Sequence, residues 1–408
     1  MPTPSLPLEL WRAIIRELTY ETGTLEIEYA PFSRDPVDLV SGDMQARREG
    51  KRTAVLVCKA WRQLALPMLY EVLVFDGTSE ERLNDIYHTL KAERAAGEGL
   101  SRGLYVRQIF AGPDTIAFGR CVEDTICCCP HLDILTYKTT SDDFRRAQNL
   151  RRLDLRIGTL FQAAKTWETI SKAIGNLPKL ESLIFPSRLN LLYPDEIILL
   201  SPPPGSTISA PLLRTVVVPW DMYIFMARNA LKLGLPALRD VHIKNMSLSD
   251  LYGTFHILIR DLKEAGGALS DKLVSIGFAP PGIWNPPLLN LCFEVLSQFQ
   301  NLRTLRITTI SMTAPDERLR HPSLASIMIY PVQNGHLPPH DPGGREAMFT
   351  DTSQVLEIII ASDFPQLHKI SIIGAHQAHF TTNTQWMEKW TRQLKERGVT
   401  LDIDTLAT

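Results

Sequence analysis

Four of the six cysteines, Cys121, Cys127, Cys128 and Cys129, lie close to His131, and thiolates with an imidazole are the donors of which zinc sites are made. Three of them are adjacent, however, and adjacent residues on a helix point in different directions, so they read as small apolar core residues. His336 and His340 are separated by Leu337, Pro338 and Pro339, which exclude the helical turn that would bring both rings to one face. His376 and His379 have no third donor nearby, and both pairs read as surface residues. No GxGxxG, GxSxG, HExxH or GxxxxGK followed by Ser or Thr occurs, so the usual dinucleotide, hydrolase, zinc-protease and phosphate signatures are absent. These residues point to a non-enzymatic chain with no metal and no cofactor.

What remains is recognition. The 408 residues carry 43 Lys plus Arg against 45 Asp plus Glu, a formal charge of -2, so no global field draws in nucleic acid or an anionic membrane. Hydrophobic residues at 44% and aromatic residues at 8% suit a folded chain. No stretch approaches 18 consecutive apolar residues, which argues against a membrane span. The segment from Met1 to Ile15 lacks the basic start and uninterrupted apolar core of a secretory signal. Six cysteines in a chain of this length form no disulfide framework, and the expected location is intracellular, cytoplasmic or nuclear. In that setting the Asn245-Met246-Ser247 sequon is a chance match.

The elements that would position a binding surface begin with a helix. Ser5 is a candidate N-cap, Pro7 suits the first turn, and Leu10, Ile14 and Leu18 with Trp11 and Ile15 give it a strongly apolar face. Residues 22–51 lose this periodicity, carry Gly23, Pro31, Pro36, Gly42 and Gly50, and read as a long loop. A second helix is expected over 52–66, with Val57, Trp61 and Leu64 as its stripe and Pro67 as its end or kink. Residues 69–75 are a candidate first strand, and 79–96 read as a polar helix.

From about residue 104 one apolar template recurs: an aliphatic residue at position 0, then apolar residues at +3 and +5. There are nine copies, among them Leu150/Leu153/Leu155, Leu213/Val216/Val218, Leu302/Leu305/Ile307 and Leu367/Ile370/Ile372. Pro or Asn stands one or two residues ahead of most of them, which is turn chemistry at a constant register. Successive copies are 18 to 43 residues apart, about 29 on average, the length of a leucine-rich repeat. Helix-like runs at 161–174, 221–233, 249–265, 288–299 and 353–361 alternate with these strands. Residues 331–348 read as a loop, and 385–397 as an amphipathic helix capping the open end.

In a short strand +3 and +5 point one way and +2 and +4 the other. The first set must build a core shared between neighbouring repeats. The second set forms an outward row, and from it Arg152, Asp154, Ile184, Val217, Asp240, His242, Arg306, Met328 and Lys369 are the candidate partner-binding residues.

The N-terminal residues carry a further pattern. Leu6-Pro7-Leu8-Glu9-Leu10 with Ile14, Ile15 and Leu18, then Leu56-Val57-Cys58-Lys59-Ala60-Trp61-Arg62 with Leu64, Ala65 and Leu69-Tyr70, resembles an F-box, in particular that of the F-box-like proteins of fungi, where such motifs stand ahead of leucine-rich repeats. The resemblance implies docking onto the Skp adaptor of a cullin-RING ubiquitin ligase through Leu6, Pro7, Leu10, Ile14, Val57, Cys58 and Trp61, with the repeats holding a target protein. The other reading open at this point is a repeat scaffold uncoupled from ubiquitination, in which those residues pack the module on itself. The expected α/β architecture is an F-box-like module over 1–75, a connecting helix over 76–103, and an irregular leucine-rich-repeat solenoid over 104–408. The solenoid is expected to form a horseshoe with a parallel sheet on its concave face.

Overall fold

The computed structural model describes residues 6–19, 25, 27, 42–75, 80–96, 101–111, 119–137, 147–155, 174–185, 210–219, 235–244, 271–279, 296–297, 299–309, 318–331, 342–373, 380 and 382–404. The chain divides into two units, residues 1–161 with 165–185 and residues 162–164 with 186–408. The expected helices at 161–174, 221–233, 249–265 and 288–299 fall almost entirely outside the described residues, as do the sequon and the histidines at 336, 340, 376 and 379.

The first unit opens with three helices, α1 (Leu8–Thr19), α2 (Gly42–Val57) and α3 (Lys59–Tyr70). Helix α2 starts inside the stretch read as loop. Its first half lacks an apolar stripe, which hides it from a periodicity argument, but Gln, Arg, Glu and Lys are good helix formers. Cys58 separates α2 from α3: its backbone is extended, at φ -162° and ψ 171°, and its Sγ accepts from the Trp61 amide at 3.5 Å. Pro67 does not end α3, because Met68 beyond it is buried and carries the helix on to Tyr70. Ile15, Ala54, Leu64, Ala65 and Met68 form the core of this module, with Trp11, Val55 and Trp61 packed against it.

A parallel ladder follows in chain order: β1 (Val72–Phe75), β2 (Gln108–Ala111), β3 (Ile134–Tyr137), β4 (Arg152–Leu155) and β5 (Ser182–Ile184). Helices α4 (Glu80–Ala96) and α5 (Gly119–Cys127) lie between strands. The ladder therefore begins at Val72 and not near residue 104. Tyr70/Leu73/Phe75 and Val106/Ile109/Ala111 are two further copies of the template, masked in the sequence by an aromatic residue at one position and an alanine at another.

In the second unit β6 (Thr215–Pro219), β7 (Asp240–Lys244), β8 (Ser275–Ala279), β9 (Thr304–Thr309), β10 (Ser326–Pro331), β11 (Lys369–Ile373) and β12 (Thr400–Asp404) are again paired in parallel and in order. Helix α6 spans Pro342–Ala361, so the C-terminal part of the expected 331–348 loop is helical. Helix α7 (Thr384–Lys395) is joined by a tight turn at Gly398 to β12, which makes it an internal element and not an end cap. Phe349 meets Phe380 edge to face, Phe380, Trp386 and Trp390 follow at tilted angles, and Trp386 Nε1 donates to Ser353 Oγ at 2.8 Å.

The two ladders share one repeat chemistry, solenoid-like in each unit. Of the nine copies read from the sequence, every template side chain is buried except Leu367, which is half-buried. The carbonyl at +1 accepts two amides of the next strand, as at Arg214, whose oxygen takes Arg239 N–H at 2.9 Å and Asp240 N–H at 3.0 Å. Ahead of most strands the amide at 0 donates to the carbonyl at -3, as in Leu150 to Ala147 and Leu302 to Phe299. Position -3 is itself a buried site, filled by Cys129, Ala147, Leu177, Ala210, Leu235 and Phe299. A polar side chain at -1 then bonds the carbonyl at -2 of the preceding repeat: Asn149 to Pro130 O at 2.7 Å, Asn301 to Asp271 O at 2.8 Å, Ser323 to Gln300 O at 2.6 Å. Among the described residues no helix is long and apolar enough to cross a membrane.

Candidate functional site

Helix α1 divides its surface three ways. Trp11 and Ile15, one turn apart, turn inward: Ile15 is buried, and the Trp11 and Trp61 rings meet with centroids 5.2 Å apart. Leu10 and Ile14 flank that seam on one side and are left 50% and 38% exposed. Arg12 and Arg16 flank it on the other.

The residues singled out in the first motif therefore separate from those that pack the module. Leu6 and Leu10 are about half exposed, Pro7 is exposed, and Val57 at the end of α2 is 56% exposed. Cys58, next to it, is exposed as the N-cap of α3. Trp61 is the exception: it is half-buried against the module core and serves chiefly to pair with Trp11. Two more residues of the same motifs, absent from the candidate docking set, are also exposed, Leu8 at 57% and Leu56 at 83%. Apart from the motifs, their sequence signal is that they are large apolar residues off the inward stripe. Eight large hydrophobic residues are exposed among the described residues, and six of them, Leu6, Leu8, Leu10, Ile14, Leu56 and Val57, belong to this module. Exposed apolar side chains in so small a module make it a candidate contact surface.

The outward row of the sheet is less open than its alternation predicts. In the first unit Arg152, Asp154 and Ile184 are buried. Arg152 Nε and Nη2 donate to Asp154 Oδ1 and Oδ2 at 2.9 Å each, a fork-to-fork pair between neighbours on one face of β4. In the second unit Val217 and His242 are buried. Arg306 Nη1 lies 3.0 Å from His242 Nε2 and 4.0 Å from Asp240 Oδ1, and its Nε lies 3.4 Å from Met328 Sδ. One guanidinium thus gathers three of the expected residues from β7 and β10 around itself. Those that reach solvent are Asp240, Arg306 and Met328, each half-buried, and Lys369, exposed and paired with Asp402 at 3.0 Å. Periodicity assigned the direction of these side chains; their burial depends on what the rest of the chain lays beside them.

The cysteines serve the backbone. Cys129 fills the -3 site of its repeat and donates to Thr125 O, Cys127 donates to Glu123 O, and Cys121 donates to Asn84 Oδ1. No group of three or more His, Cys, Asp or Glu among the described residues is placed to hold a metal ion. Comparison of the chain with protein-family models and with curated proteins finds no match in either.

Proposed function

We propose that this chain is the substrate-recognition adaptor of an SCF-type cullin-RING ubiquitin ligase, docking its N-terminal helical module on the Skp adaptor and holding a target protein on its repeats. The observation that carries the reading is the split within the module. Ile15, Leu64, Ala65 and Met68 suffice to close its core, while Leu6, Leu10, Ile14 and Val57, the residues of the F-box-like motifs, remain at the surface. Leaving such residues in water costs roughly 1.5 to 3 kcal/mol of foregone burial for each side chain, and a partner that covers them recovers it. The target-binding role falls to the solvent-reaching part of the outward row, Asp240, Arg306, Met328 and Lys369, where a positioned guanidinium beside a methionine offers both charge and a soft apolar contact.

The test is co-purification of the full-length chain with the Skp adaptor. Val57→Asp and Leu10→Asp alter exposed side chains only; both are expected to abolish capture while leaving the thermal transition within a few degrees of the parent. Capture that survives both substitutions would reject the docking surface. A target retained on the chain without any adaptor would instead favour the uncoupled scaffold.

A further inference from the structure

The first unit has a second surface, on the side of α1 opposite Leu10 and Ile14. A cleft of about 770 Å³ is bounded by Arg12 and Arg16 of α1, by Leu64 and Met68 of α3, and by residues that immediately precede successive strands. Those strand-leading residues alternate in sign: Glu71, Arg107, Asp133 and Arg151, with Glu181 next in the series.

The alternation pairs them. Arg16 bonds Glu71 at 3.4 Å, Arg107 bonds Asp133, and Arg151 bonds Glu181 at 2.7 Å. The members of each pair are not equally exposed. The carboxylates are recessed, with side chains 15%, 18% and 21% exposed for Glu71, Asp133 and Glu181. The arginine side chains stand out at 52%, 43% and 40%. Each carboxylate holds one edge of a guanidinium whose side chain stays substantially exposed, which lowers the entropy cost of binding an anion there. Arg12 and Lys179 add two cations to the same cleft, and neither is in an ion pair among the described residues; Lys179 Nζ bonds only the Asn149 amide oxygen, at 2.6 Å.

We infer that this cleft binds an acidic peptide segment. Arg107 and Arg151 are separated by one intervening strand, so they stand about 10 Å apart at the spacing of a sheet. That spacing matches carboxylates about three residues apart on an extended chain, at roughly 3.3 Å per residue. The exposed side chain of Leu104 at the cleft accepts the methylene stems between those charges. The inference rests on this cleft alone and holds whether or not the apolar face of α1 docks on an adaptor.

The experiment is fluorescence anisotropy of a fluorescein-labelled peptide of alternating Glu and Ala, titrated with the full-length protein, beside the same peptide with Gln in place of Glu. The acidic peptide is expected to bind, the Gln peptide not, and added salt to weaken the complex. Arg12→Glu with Lys179→Glu reverses two charges that hold no ion pair among the described residues, and the double variant is expected to bind about tenfold more weakly with an unchanged circular dichroism spectrum. Should the reversals disturb the fold, Arg12→Ala with Lys179→Ala reads the same contact, with an expected loss of about threefold. Absence of binding, binding indifferent to these substitutions, displacement by equimolar inorganic phosphate, or tighter binding of a single-stranded RNA oligonucleotide would each overturn the assignment.

Discussion

At Gly103 the chain passes so close to the Cys128 carbonyl that a Cβ would stand 2.1 Å from its oxygen, and that oxygen belongs to the backbone. Neither side can yield cheaply, so Gly103→Ala is expected to cost about 1 to 3 kcal/mol, read as a lower urea midpoint at constant slope. Asp351, on the inward side of α6, is buried, and desolvation raises its carboxyl above the usual aspartate value. The sign follows from linkage. A folded-state pKa raised above the unfolded one gives a contribution that is fully present below about pH 3.8 and is lost as the pH climbs through the raised value, so at neutral pH the ionised side chain opposes folding. Asp351→Asn is therefore expected to stabilise the protein at pH 7 and to have no such effect well below pH 4, in paired thermal melts. His321 behaves in the opposite sense: burial lowers its pKa, Nε2 lies 3.0 Å from Leu296 O, and the Ser323 amide donates to Nδ1 at 3.4 Å. Its neutral ring favours the fold fully above about pH 6.5, and that contribution is lost as the pH falls below it.

Among the elements, the short strands carry the register on which everything else depends. Leu305 of β9 is 1% exposed, whereas Thr304 beside it points to the other face and is half-buried. Leu305→Ala should cost about 2 to 5 kcal/mol and Thr304→Ala less than about 1 kcal/mol in denaturant unfolding. Equal effects would mean that the strand is turned the wrong way. Most template positions were legible because +3 and +5 must meet the same residues of the next strand. The paired carbonyl at +1 and the -1 side chain that bonds the preceding turn were not, since Asn, Ser and Lys at -1 have no common hydrophobicity to read. Helix α2 escaped for a related reason: a charged run has no period, yet costs a helix little.

For the molecule as a whole, the apolar excess of the N-terminal module should show itself in solution. A formal charge of -2 gives weak mutual repulsion, and six large exposed hydrophobic side chains lie in one short module. The isolated chain is expected to self-associate reversibly in sedimentation velocity runs as concentration rises, and Val57→Asp with Leu10→Asp to suppress this. Association undiminished in that variant would place the sticky surface elsewhere. The seven candidate docking residues were taken from a resemblance to a known family, and six of them lie at the surface. Trp61 could not be separated from them in the sequence, because a tryptophan that packs on Trp11 and one that awaits a partner look the same there.

The chain's sequence by itself determined the recurring apolar triplets, their spacing and their inward direction, because side-chain alternation in a strand follows from local geometry alone. Only the tertiary structure decided where the ladder starts, that Arg152, Asp154, Ile184, Val217 and His242 are covered, and that recessed carboxylates hold Arg16, Arg107 and Arg151 toward a common cleft. Burial and charge pairing are set by what lies beside a residue in space, and residues such as Arg151 and Glu181 become neighbours only once their strands pair.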